Sequence, residues 1–113
     1  MDKLFVILGG GESGVGAALL AKKQGYNVFV SDGSSLKNEY RTELQEAGIA
    51  FEEGMHTEEK ILQAVEVMKS PGIPEKAPIV KKIRAKGIPV ISEVELAYRY
   101  KGNSRIIAIT GSN

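Results

Sequence analysis

The sequence predicts an α/β fold: a Rossmann-like open parallel sheet with helices on both faces, in a single domain. Three observations carry that prediction. Apolar runs of strand length alternate with helical stretches along the 113-residue chain. The first run, Leu4-Phe5-Val6-Ile7-Leu8, is unbroken, as in a strand buried on both faces. It runs into a glycine turn in which Gly9, Gly11 and Gly14 fit G-x-G-x-x-G, and the next strand ends in an acid, Asp32.

Each element then follows in order. Small residues predict a helix from Val15 to Gln24, stopped by Gly25, and Val28-Phe29-Val30 is the second strand, ending in Ser31-Asp32-Gly33. Gly33 to Asn38 reads as a loop. Glu39 to Ala47 is a helix with Tyr40, Leu44 and Ala47 on one face, closed by Gly48. Ile49 to Glu53 is a third strand with a polar second half, which suits a sheet edge. Gly54-Met55-His56-Thr57 is a turn, with Thr57 placed to cap a helix from Glu58 to Ala64. Val65 to Lys69 is the fourth strand and leads into Ser70-Pro71-Gly72-Ile73-Pro74. A helix opening at Pro78, with Ile79, Val80 and Ile83 inward, closes at Lys86-Gly87. Pro89-Val90-Ile91 is the fifth strand. Ser92 and Glu95 form a capping box before a helix from Val94 to Tyr100, and Arg105 to Thr110 is a sixth strand.

In a doubly wound sheet the first and fourth strands flank the switch point. The loops Gly9 to Gly14 and Ser70 to Pro74 then face each other across one crevice, with Asp32 one strand over. Glycines let a turn close and let backbone N–H groups approach a diphosphate, and a helix N-terminus adds partial positive charge. Strand, turn, helix, strand and acid together point to a nucleotide, without saying which. Asp32 before Gly33 is also ordinary turn chemistry, and Ser70-Pro71-Gly72 could serve only as a strand exit.

Composition sets limits. With 42% hydrophobic and 26% charged residues the chain reads as one soluble domain, and a net charge of +1 offers no case for nucleic acid or an anionic membrane. Zero cysteines exclude disulfides and thiolate metal sites and suit the cytoplasm. The single histidine, His56, lacks companions at metal-ligand spacing and reads as a surface-loop residue, so no metal site is expected. Glu93 and Glu95 read as helix-start residues rather than an acid/base pair, and no nucleophile arrangement is evident. No catalytic residue is therefore expected in this chain. An apolar strand running into Thr110-Gly111-Ser112-Asn113 looks like the approach to an ATP phosphate loop, which makes the chain read as the N-terminal piece of a longer ATP-using protein.

Gly9 to Gly14, Ser31-Asp32-Gly33, Ser70 to Pro74, Glu93-Val94-Glu95-Leu96 and Ile107 to Asn113 occur in the order and at spacings similar to those of the Mur ligases. The resemblance covers essentially the whole chain, and Glu93 to Leu96 sets it with the D-glutamate-adding branch. It implies an N-terminal UDP-binding domain over residues 1–113, with an ATP-binding central domain starting near Thr110. It also implies that backbone amides at Gly11, Glu12, Ser13 and Gly14 meet a diphosphate, that Asp32, Gly33 and Ser34 hold uracil, and that Ser70, Pro71 and Gly72 line the crevice. The implied partner is UDP-N-acetylmuramoyl-L-alanine. In the complete cytoplasmic, monomeric ligase, ATP and Mg²⁺ would activate its carboxylate for attack by the D-glutamate amine in peptidoglycan synthesis. The chain alone is then expected to bind without catalysing.

Two other classes compete. A nicotinamide-binding domain of a dehydrogenase would use the same glycines, with Asp32 on ribose hydroxyls, but has no need of Thr110 to Asn113. A non-catalytic ligand-sensing module is the third reading.

Overall fold

The computed structural model describes residues 3–101. Its centre is β1 (Leu4–Leu8), whose Phe5, Val6, Ile7 and Leu8 are fully buried. The strand can be apolar on both faces because it is paired on both edges and covered on both sides. It pairs with β2 (Asn27–Asp32) on one edge and β4 (Glu66–Lys69) on the other. Outside these lie β3 (Ala50–Glu53) and β5 (Val90–Ile91), giving a five-stranded, wholly parallel sheet in the order β3-β2-β1-β4-β5. The order reverses between β1 and β4, the expected switch point, and the polar β3 lies at an edge as its sequence predicts.

The alternation of side chains along each strand feeds two cores. On one face Phe5, Ile7, Val28, Val30 and Met68 meet α1 (Glu12–Lys23), α2 (Asn38–Glu46) and α5 (Glu93–Lys101), through Val15, Ala18, Leu44 and Leu96. On the other, Val6, Leu8, Phe29 and Val67 meet α3 (Glu58–Ile61) and α4 (Pro78–Lys86), through Ile61, Ile79, Val80 and Ile83. Small residues along α1 (Gly14, Ala17, Ala18, Ala21) let the helix lie close to the sheet. Among the described residues no helix is long and apolar enough to cross a membrane.

Several element ends differ from the sequence reading. α1 starts at Glu12 rather than Val15, because Gly11 takes the extended N-cap conformation and its carbonyl accepts the first helical bond from the Val15 N–H at 2.9 Å. α3 is a single turn that unwinds after Ile61, and Thr57 does not cap it with its side chain. The Thr57 hydroxyl donates to Glu52 Oε1 instead, at 2.5 Å. The Ser92–Glu95 capping box is present: the Glu95 N–H donates to Ser92 Oγ at 3.1 Å and the Ser92 N–H to Glu95 Oε1 at 3.2 Å. The sixth strand expected over Arg105 to Thr110, and the phosphate-loop residues Thr110, Gly111, Ser112 and Asn113, lie outside the described residues.

The glycines of the turn carry unequal loads. Gly9 has φ +103°, a conformation that side chains rarely adopt, and a Cβ on Gly14 would sit 1.9 Å from the Gly9 carbonyl oxygen. Gly11 has nothing within 4 Å of the corresponding position. Gly14→Ala is therefore expected to lower stability by about 1–3 kcal/mol, whereas Gly11→Ala changes it by less than about 1 kcal/mol. Urea unfolding of both variants checks this, and equal losses would contradict it.

Candidate nucleotide site

The candidate site lies beyond the C-terminal ends of β1, β2 and β4, where three sequence-distant loops meet. The turn after β1 is anchored on both sides. The Gly9 N–H donates to the Ser31 carbonyl at 2.9 Å, and the Ser70 N–H donates to the Leu8 carbonyl at 3.0 Å. A Cβ on Gly9 would fall 2.7 Å from Ser70 Cβ, so the turn and the loop after β4 are in direct contact. Gly11 at the N-cap has no side chain to satisfy the first-turn N–H groups of Glu12, Ser13 and Gly14, which therefore keep their capacity to bind an anion.

Asp32 is the keystone on the β2 side. Its Oδ2 accepts the Gly10 N–H at 2.6 Å; its Oδ1 accepts the Ser34 N–H at 2.8 Å and the Ser34 hydroxyl at 2.9 Å. Burial alone would push the Asp32 carboxyl up, but these bonds hold it below the ordinary aspartate range. The following loop is tied to β3: Glu53 Oε1 accepts the Leu36 N–H at 2.7 Å, Arg41 Nε donates to Glu53 Oε2 at 2.8 Å, and the Gly54 N–H donates to the Ser34 carbonyl at 3.1 Å. The buried Leu36 side chain then packs beneath Gly10. Gly33 and Ser34 are exposed on a loop whose flanks are clamped.

On the β4 side Ser70 is half-buried, while Pro71 and Gly72 are exposed. Lys69 Nζ donates to the Ile73 carbonyl at 2.7 Å and lies 3.5 Å from Glu75 Oε2, which staples this loop to the start of the next segment. Pro71 fronts a cleft of about 420 Å³ that reaches Ser92 and Glu93. Glu12 and Ser13 line a groove of about 760 Å³ between α1 and α5, where Glu93 also stands. Glu12 is exposed at the first position of α1, so its carboxylate faces solvent at the helix start.

One residue near the site was missed in the sequence. His56 is not a free surface-loop side chain: its Nδ1 lies 2.7 Å from the hydroxyl of the wholly buried Ser31, and its ring abuts Gly33. The available signal was positional, since a loop following a parallel strand opens on the edge where ligands bind. Among the described residues no group of three or more His, Cys, Asp and Glu side chains could hold a metal ion.

A family model described as the N-terminal domain of MurD-like Mur ligases matches residues 3–92. The chain belongs to this family. The UDP-N-acetylmuramoylalanine–D-glutamate ligase of Cytophaga hutchinsonii is 62% identical over 114 residues, covering 100% of this chain and 25% of that protein. The ligase of the same name from Bacteroides fragilis is 57% identical over 111 residues, covering 98% of this chain and 25% of its own length. The MurD-like chain thus spans about a quarter of the length of these relatives. The crystal structure of a murein peptide ligase, Mpl, from Psychrobacter arcticus superposes with a TM-score of 0.77 at 22% identity, over 87% of this chain and 20% of that one. That likeness is one of fold.

The Asp32 contacts make a prediction about acid stability. A carboxyl held below its unfolded value stabilises fully above that value, about pH 3.9 for aspartate, and loses its contribution as pH falls through the folded value. Asp32→Ala should cost on the order of 1–2 kcal/mol at neutral pH, allowing for partial exposure. The deficit should shrink as acid titrates the wild-type carboxyl. Urea midpoints measured across acid and neutral pH check both points, and a pH-independent deficit would contradict them.

Proposed function

We propose that this MurD-like domain holds the UDP moiety of UDP-N-acetylmuramoyl-L-alanine for an ATP- and Mg²⁺-dependent ligase that adds D-glutamate in peptidoglycan synthesis. The observation that carries the reading is the unequal glycine turn. Gly9 and Gly14 are demanded by the protein, yet Gly11 is open, so its lack of a side chain serves an approaching ligand. The open side lies at the α1 N-terminus, where Gly11, Glu12, Ser13 and Gly14 offer backbone N–H groups to a diphosphate. The clamped loop Asp32, Gly33 and Ser34 then stands at the distance of a neighbouring strand, suited to the base, with Ser70, Pro71 and Gly72 across the crevice. The names of the curated relatives support uridine as the base.

The domain supplies position rather than chemistry. Rigid anchoring of the uridine end presents the far end of the substrate to the ATP, Mg²⁺ and D-glutamate sites. These sites are assigned to the remainder of the ligase, with Thr110, Gly111, Ser112 and Asn113 proposed as the approach to its ATP site. The chain by itself binds and does not turn over.

Asp32 bears on the dehydrogenase alternative. Its carboxylate oxygens already accept three hydrogen bonds from Gly10 and Ser34, which leaves little capacity for the paired ribose hydroxyls of a nicotinamide cofactor. Amide chemical-shift titration of the 113-residue chain with UDP and with NAD tests the reading. Saturable shifts at Gly11 to Gly14 and at Gly33 and Ser34 are expected with UDP. Saturation there by NAD and not by UDP would overturn it.

A further inference from the structure

Ser31 lies at the end of β2 with its side chain wholly shut from solvent. It has one proton and three polar neighbours: Glu52 Oε2 at 2.7 Å, His56 Nδ1 at 2.7 Å and the Met55 carbonyl at 3.3 Å. Glu52 also accepts the Thr57 N–H at 2.7 Å and the Thr57 hydroxyl at 2.5 Å. Burial would raise the Glu52 carboxyl, but the bonds from Thr57 and Ser31 hold it below the ordinary glutamate range.

An ionised carboxylate can only accept, and a charge-assisted bond outcompetes a neutral one. The Ser31 proton is therefore committed to Glu52. The remaining 2.7 Å contact then requires His56 Nδ1 to donate to Ser31 Oγ. In the neutral ring this network assigns the tautomer: the proton sits on Nδ1, and Nε2 keeps a bare lone pair. Nε2 stands 3.2 Å from where a Cβ on Gly33 would be, so the imidazole packs closely against position 33. Position 33 belongs to the loop assigned above to the base. The carboxylates that face the ring are Glu52 and Asp32, both already engaged by protein donors.

We propose that His56 is a specificity-determining residue of the base subsite, its Nε2 accepting a hydrogen bond from a pyrimidine that offers a ring N–H. Uracil has such an imide N–H; cytosine presents an acceptor at the same ring position. The proposal rests on the nucleotide reading above and adds to it the atom that discriminates between bases. It also bears on Gly33: a side chain there would press on the imidazole and make it shift by a few tenths of an ångström.

Because the chain has one histidine, isotope-labelled histidine gives a single ring to follow. Two-bond nitrogen–proton spectra of the free chain in mildly alkaline buffer should show the proton on Nδ1. UDP should then move the Nε2 resonance, while CDP, which shares the diphosphate, moves only the backbone amides of Gly11 to Gly14. His56→Asn keeps a donor for Ser31 near the Nδ1 position and lacks Nε2. It should bind UDP about 10-fold more weakly, equivalent to about 1.4 kcal/mol, with CDP unchanged. If that variant does not fold, the wild-type ring spectrum decides alone. A proton found on Nε2, or a UDP titration that shifts Gly11 to Gly14 and leaves Nε2 unmoved, would overturn the proposal while the nucleotide reading stands. If UDP shifts neither, both fall together.

Discussion

The hydrogen bond from the Gly10 N–H to the Asp32 carboxylate, 2.6 Å long, joins the two features on which the site depends. One is a glycine turn with no side chains of its own to hold it in shape. The other is the exposed loop after β2, which carries Gly33 and Ser34. A single carboxylate fixes both, because its second oxygen gathers the backbone and hydroxyl of Ser34. Burying a carboxylate is unfavourable unless donors surround it, and here three donors do so. The same arrangement therefore shapes the turn and keeps Asp32 ionised.

Rigidity spreads outward from that bond. Glu53 holds the backbone at Leu36, and Leu36 packs under Gly10, which closes a ring from turn to loop to edge strand and back. On the opposite side Ser70 abuts Gly9, and Lys69 holds the loop that follows. A domain proposed to hold one end of a long substrate would benefit from this arrangement. Ordering done during folding is not charged again when the ligand binds.

Much of this was legible in the residues. An apolar run of five residues with no alternation, ending in glycines, reads as a strand covered on both faces, which makes Leu4 to Leu8 central; the polar half of Ile49 to Glu53 points to an edge. The G-x-G-x-x-G spacing located the turn, although it treated Gly11 like Gly9 and Gly14, and only the packing distinguishes an open position from a crowded one. The start of α1 was placed three residues late because Glu12 and Ser13 read as turn residues, whereas the extended Gly11 admits them to the helix. Thr57 had the sequence of a cap, but a tertiary partner, Glu52, took its hydroxyl. His56 was read as a surface-loop residue for the same reason. Its partner Ser31 is 25 residues away in sequence, and such long-range polar pairs leave no local pattern.

In the proposed reading a diphosphate lies against the α1 N-terminus and a uracil over Gly33. A crystal structure of the chain with UDP tests this most directly. The result predicted is electron density for the diphosphate at the amides of Gly11 to Gly14 and for uracil beside Gly33, Ser34 and His56, with the Gly10–Asp32 bond unchanged. UDP seated elsewhere, as in the groove between α1 and α5, or a Gly10 N–H turned away from Asp32 in the complex, would contradict it.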